Sequence, residues 1–470
     1  MLDRKTADDL GNGKIGSLLL QYSIPAIIGM VASSLYNIID RVFIGQGVGA
    51  LAISGLAITL PIMNMAVAFG AWVGIGASAM VSIRLGEKKG GEANLILGNA
   101  LVLNILISIA FSVIVLIYLD RILYLFGASR DTLPYAREFM QIILVGNIFT
   151  HIYWGLNSIM RSSGYPRKAM VTTLVTIGIN LLLAPLFIFA FRWGIRGAAA
   201  ATVLSQVVGT VWVVLHFMSG KSQVHFERGR MGLRANIVRD ILSVGMPSFL
   251  LHFCACFIII VLNLRLVLYG GDFAVGAFGI INSIVMFFIM VVIGLNQGMQ
   301  PIVGYNYGAH QSERVFRAFR YTAIAATCIT AIGFLMGELI PGLIARAFTT
   351  HQELIDLSTT GMRIVLVMFP LVGFQMVTSN LFQSIGKAKT AIFLSLSRQV
   401  MFLIPLLFIL SHAFGLEGVW LALPASDVLA SLLTLVVLKM QMGKIRSECW
   451  QPSVKIGDSL ECKPARARVG

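Results

Sequence analysis

Apolar runs of twenty or more residues recur from one end of this 470-residue chain to the other. Such runs dictate the solvent. In hydrocarbon no water is available to backbone N–H and C=O groups, so a segment must satisfy its own, as a helix or within a closed barrel. Barrel strands cross in about 9–11 residues, whereas helices need about 20. These runs are helix length. Only 12% of the residues are charged, against about 25% in a soluble domain. The chain is therefore expected to be an all-α polytopic membrane protein.

Twelve transmembrane helices are predicted, over approximately 15–43, 51–84, 93–118, 133–160, 168–190, 195–219, 236–264, 274–307, 314–337, 354–384, 387–411 and 417–441. The second and eighth are long and are candidates for kinks at Pro61 and Pro301. Ending the fourth near 160 leaves Arg161 in the basic loop that follows. The polar stretch Met1 to Lys14 carries Asp3, Arg4 and Lys5 and does not read as a cleavable leader. Lys and Arg crowd this stretch, the loops that leave even-numbered spans, and the C-terminal tail. They are scarce in the other loops. That asymmetry predicts both termini in the cytoplasm and a multi-pass protein of the cell's inner (plasma) membrane.

The two halves read as copies. Pro25 and Pro247 lie 222 residues apart, as do Gly86 and Gly308, Phe126 and Phe348, Met140 and Met362, and Gly164 and Gly386. The register then slips by one, pairing Gly194 with Gly415 and Ser205 with Ser426. Six helices per copy is an even number, so both copies enter from the same side and form parallel repeats. The expected organisation is an N-terminal segment 1–14, a six-helix lobe 15–219, a cytoplasmic linker 220–235, a second, pseudo-symmetric six-helix lobe 236–441, and a disordered cytoplasmic tail 442–470. Two similar bundles facing one another point to a transporter whose central cavity opens to either side as the lobes rock.

Other classes find less support. The net charge of +15 belongs to short loops that meet anionic headgroups, so membrane lipids, not nucleic acid, are the expected partners. The five cysteines form neither a disulfide framework nor a metal set: Cys254, Cys256 and Cys328 are intramembrane, Cys449 and Cys462 in the tail. No H-E-x-x-H pair or G-x-S-x-G elbow supports a membrane-embedded enzyme. No catalytic residue and no cofactor is assigned.

Few ionisable groups lie inside the spans, and each costs roughly 2.5–3.5 kcal/mol to place there. Asp40 lies in the first span and Asp427 in the last, with Arg363 and Arg398 in the tenth and eleventh. Arg41 diverges from Asp40 by about 100° on a helix, so it is a poor partner for it. The repeat positions of the two acids hold Leu262 and Gln206, so the architecture alone requires neither carboxylate. A carboxylate in a partly dry cavity can take up and lose a small cation and so bias a two-state element. For Asp427, an ordinary bond near Arg398 weighs equally. Asn157, Asn180, Asn282 and Gln297 are intramembrane amides, which either stitch helices together or line a cavity.

The stretches LYNIIDRVFIGQGVGALAISGLA (35–57), NSIMRSSGYPRKAM (157–170), GAFGIINSI (276–284), GLNQGMQPIVGYNYGA (294–309) and NLFQSIGKAK (380–389) resemble the multidrug and toxic compound extrusion family, in its DinF-like and MepA-like branch. The resemblance covers roughly residues 10 to 440. It implies a monomeric two-lobe antiporter that exports amphiphilic or cationic small molecules in exchange for H⁺ or Na⁺. It places ion coupling on Asp40, Asn180 and Thr202, and it assigns Asn157 to the cavity; Tyr36, Asn282, Gln297 and Asp427 are the further cavity candidates. The family's second carboxylate, before a proline, is absent here: Ala184 precedes Pro185. One carboxylate suits a proton better than Na⁺, since hard cations prefer several oxygens. A lipid-linked oligosaccharide flippase of a related superfamily is the competing transport reading, with Arg363 and Arg398 as its only deep cations.

Overall fold

The computed structural model describes residues 8–220, 222–227 and 232–448. Every regular element in them is helical. The N-terminal half holds α1 (Asp8–Asn12), α2 (Ile15–Gly47), α3 (Ala50–Gly86), α4 (Gly90–Ile117), α5 (Leu119–Leu125), α6 (Leu133–Ser162), α7 (Pro166–Pro185) and α8 (Gly194–Met218). The C-terminal half holds α9 (Ala235–Gly308), α10 (Ser312–Leu339), α11 (Pro341–Phe348), α12 (Gln352–Leu366), α13 (Phe369–Ser384), α14 (Ala388–Leu396) and α15 (Ile404–Glu448). A π-helical segment follows α7 at Leu186–Ala190, and another joins α14 to α15 at Ser397–Leu403.

Among the described residues, nine stretches are long and apolar enough to cross a membrane, and the bent pair α12–α13 makes a tenth. Two of the nine are doubled. α9 breaks at Gly271 (φ 64°, ψ −164°) and α15 at Gly415 (φ 60°, ψ −132°). Positive φ costs an L side chain but not glycine, so the chain reverses there with almost no loop. Twelve crossings result.

The repeat is visible in the backbone. Positive φ occurs at Gly49 and Gly271, Lys88 and His310, and Gly164 and Gly386, each pair 222 apart, and at Gly194 and Gly415, 221 apart. The short helices α5 and α11 also begin 222 residues apart, at Leu119 and Pro341. Two parallel six-helix bundles are thus built from equivalent breaks.

Three details differ from the sequence reading. α3 passes Pro61 as one 37-residue helix. The tenth crossing instead bends by 50° between α12 and α13. Pro370 explains this: its ring excludes the carbonyl four residues back, at Leu366, and it donates no N–H. The last helix continues to Glu448, so 442–448 are helical. Residues 449–470 of the expected tail, with Cys449 and Cys462, lie outside the described residues, as do 1–7.

The apolar core shows how the bundles meet. One cluster draws on both halves at the end where the termini lie: Leu10, Val81 and Leu85 pack with Ile302, Tyr305 and Phe382. At the opposite end the core splits. One cluster (Ile44, Leu123, Phe187 among others) belongs to the first half alone, and another (Leu266, Ile344, Trp420) to the second alone. The bundles are sealed at the terminus-bearing end and separately packed at the other.

Glycines make the seal close. A Cβ at Gly308 would stand 2.1 Å from the Ile83 carbonyl oxygen, one at Gly86 2.0 Å from that of Tyr305, and one at Gly245 1.7 Å from that of Trp72. Small residues let helix backbones approach in this way. The Trp72 indole N–H also donates to the Leu242 carbonyl (2.7 Å), and its ring stacks on Phe249 at 4.7 Å. α1, read in the sequence only as part of a polar N-terminal segment, is tied to the second half. The Leu10 carbonyl accepts from Asn306 (2.9 Å) and Arg314 (3.0 Å), and Arg314 also reaches the Gly13 carbonyl at 2.7 Å.

Candidate functional site

Asp40 lies on α2, buried, while its neighbour Arg41 is exposed. The 100° step between adjacent helical residues turns one inward and the other out. Tyr36 is one turn earlier on the same face. Its hydroxyl stands 3.4 Å from the Thr202 hydroxyl of α8, and the Asn180 amide of α7 donates to that hydroxyl at 3.2 Å. Thr202 donates its own hydrogen to the Ala198 carbonyl at 3.1 Å. It therefore acts as acceptor for both Tyr36 and Asn180. Three helices thus bring Asp40, Tyr36, Asn180 and Thr202 into one polar group inside the first lobe.

Two acceptors in this group lack a donor. Asp40 Oδ1 and Asn180 Oδ1 are buried with no hydrogen-bond partner. Buried acceptors are normally satisfied, and an orphan costs about 1–3 kcal/mol. A proton on the carboxylate turns one acceptor into a donor, and a bound cation serves both. Position 184 falls one turn after Asn180, on the same face of α7. Ala184 there is fully buried in the lobe's apolar cluster, so position 184 supplies no oxygen.

A second polar group lies nearer the sealed end. The Asn157 amide donates to Thr173 (3.3 Å), which also takes the Tyr153 hydroxyl hydrogen (3.0 Å). Asn157 Oδ1 has no partner. One turn on, Arg161 donates to the side-chain oxygen of Gln297 on α9, which joins the two lobes. A small cavity of about 20 Å³ lies here, lined by Met30, Ser33, Trp154, Asn157, Arg161 and Gln297 among others. That is room for about one water molecule.

The remaining candidates fall elsewhere. Asn282 is half-buried, fifteen residues before Gln297 and so about 20 Å away along the helix. Asp427 is not among the cavity residues. It binds Arg398 of the π-helical segment at 2.6 Å and is only 5% exposed. The structure thus pairs Asp427 with Arg398. Arg161 was missed as a site residue because the fourth span was ended two residues too early: α6 continues to Ser162. Its spacing of four from Asn157 was the available signal.

The Arg398–Asp427 pair makes a stability prediction. Removing one partner of a buried pair strands the other charge, at about 3–5 kcal/mol. Arg398→Leu is expected to lower the melting temperature of the purified protein clearly. Adding Asp427→Leu to it should restore most of the loss. Thermal melts of the two variants check this.

With the fold and both polar groups placed, comparison with known proteins becomes decisive. A family model described as MatE matches twice, over residues 25–186 and 247–409. The chain belongs to the MatE family. The two matches start 222 residues apart, the spacing of the backbone repeat. The Multidrug export protein MepA of Staphylococcus aureus is 27% identical over 431 residues, covering 91% of this chain and 94% of that protein. A solved structure of the MATE multidrug transporter DinF-BH is 38% identical with a TM-score of 0.87 and covers 96% of this chain and 100% of that one. An outward-facing MATE transporter of the MOP superfamily is 25% identical, with a TM-score of 0.89 and coverage of 95% and 100%. This MatE protein is therefore a membrane transporter in the multidrug efflux family, built of two six-helix halves.

Proposed function

We propose that this protein is a secondary antiporter that exports hydrophobic, cationic drugs in exchange for H⁺, by alternating access of its two lobes. The observation that carries the reading is the buried Asp40 with an unpartnered carboxylate oxygen, grouped with Tyr36, Asn180 and Thr202. One carboxylate and a few neutral oxygens suit a proton better than Na⁺. Protonation changes the charge and hydrogen bonding of α2, which packs against both α7 and α9. A local event at Asp40 thus reaches the seam between lobes.

The Lys and Arg distribution puts the sealed end in the cytoplasm. The conformation is then outward-facing, the state in which drug leaves and a proton enters. The names of MepA and DinF-BH support drugs as cargo.

The test is dye efflux in vesicles with an imposed pH gradient, then with a Na⁺ gradient alone. Efflux is expected with the first and not with the second; efflux on Na⁺ alone overturns the choice of ion. Ala184→Asp adds a carboxylate one turn from Asn180 and is expected to make the same assay respond to Na⁺. A variant that stays indifferent to Na⁺ would show that the oxygen count at this position does not set ion choice.

A further inference from the structure

We infer that Arg161 is a specificity-determining residue that selects, among cationic amphiphiles, those that also bear a carboxylate. The inference rests on the drug-export reading above and narrows its substrate class.

The charge at Arg161 is the unexplained feature of the cavity. Its guanidinium donates to Gln297, a neutral amide. Among the described residues no carboxylate lies within ion-pair distance of it. Arg398, by contrast, has Asp427 at 2.6 Å. A guanidinium carries five N–H donors in a planar fork that matches a carboxylate's two oxygens. One amide oxygen leaves most of that fork unused. An ionisable group kept within a membrane bundle is costly and faces interior cavities or substrate pathways.

The surroundings fit an amphiphile. Trp154, Met30 and Met170 line the cavity with apolar and polarizable surface, and Ser33, Thr173 and Asn157 add polar groups beside the charge. Trp154 supplies the aromatic member of this lining. Asn157 Oδ1 remains an unused acceptor one turn from Arg161. A ligand with an aromatic body, one hydrogen-bond donor and one carboxylate meets each of these features.

Gln297 gives the site its timing. It belongs to the other lobe, and the cavity now holds about one water. A carboxylate reaches Arg161 only when the lobes part at this end, and it then takes Gln297's place. With the sealed end cytoplasmic, as proposed above, the selection acts at drug entry.

The test compares two dyes that differ in one group: a rhodamine with a free benzoic acid and its alkyl ester. Their dissociation constants are measured by fluorescence polarisation in phosphatidylcholine nanodiscs, where no anionic lipid competes. The readout is the preference for the acid over the ester, which a partly damaged preparation does not alter. A charge-assisted hydrogen bond contributes about 1.5–3 kcal/mol, or roughly 10–100-fold. Arg161→Gln is expected to lower the preference about tenfold or more. Arg161→Lys, which keeps the charge and loses the fork, should lower it less. Gln297→Ala frees the guanidinium and is expected to raise it, which decides the matter if the Arg161 variants do not fold. An unchanged preference in the folded variants overturns the inference while leaving drug export standing. Failure of the wild type to bind either dye overturns both.

Discussion

Asp40→Asn is expected to abolish proton-driven dye efflux while the protein still reaches the membrane and melts near the wild-type temperature. The side chain is buried on α2, and its Oδ1 has no partner. Asparagine has almost the same shape, so packing survives. It also resembles a carboxyl permanently carrying its proton, with a donor and no charge. The conformation that needs the charged form is then never favoured, and a ligand or proton shifts an equilibrium only through differential affinity. The loss should fall on turnover more than on dye binding, since the polar cavity at Asn157 and Gln297 is a separate group. Efflux in inverted vesicles and binding to purified protein separate the two. Wild-type efflux from the variant would remove Asp40 from the mechanism.

Gly308→Ala is expected to shift the protein away from the conformation described here. Its Cβ would stand 2.1 Å from the Ile83 carbonyl oxygen and 3.2 Å from the Glu87 backbone nitrogen. Both belong to the backbone at the end of α3, so no side chain can turn aside. Overpacking costs about 1–3 kcal/mol, which changes the ratio of two states roughly 5–150-fold. Only the sealed arrangement meets the clash, so only that state is penalised. Cysteines placed along the seam, in the variant and the parent, should become more reactive from the terminus-bearing side in the variant. Efflux should fall because one half of the cycle is rarely visited. Gly16 has open space around it, so Gly16→Ala serves as control. Unchanged reactivity and efflux in Gly308→Ala would mean that the seam is not a two-state contact.

The helices were legible because hydrocarbon leaves the backbone no other partner, and a span needs about twenty apolar residues whatever surrounds it. The repeat was legible because breaks between spans need special residues. The pairs Gly164 and Gly386, and Gly194 and Gly415, all adopt positive φ. Asp40 stood out because a lone carboxylate in an apolar run is costly.

Tertiary structure alone decided the rest. That Asp427 holds Arg398 turned on a 2.6 Å approach between residues 29 apart, which no local pattern encodes. Arg161 read as one more loop cation until α6 was seen to continue past it and reach Gln297, 136 residues away. The bend at Val367 depended on which of several prolines the packing could straighten, and Pro61 and Pro370 had opposite outcomes. Above all, the end at which the lobes seal was beyond the sequence. A transporter that alternates as proposed must support both closures with similar free energies, so its residues cannot favour one strongly. The shared core of Val81, Ile302 and Phe382 records which closure is present, because only three-dimensional contact distinguishes it from the other.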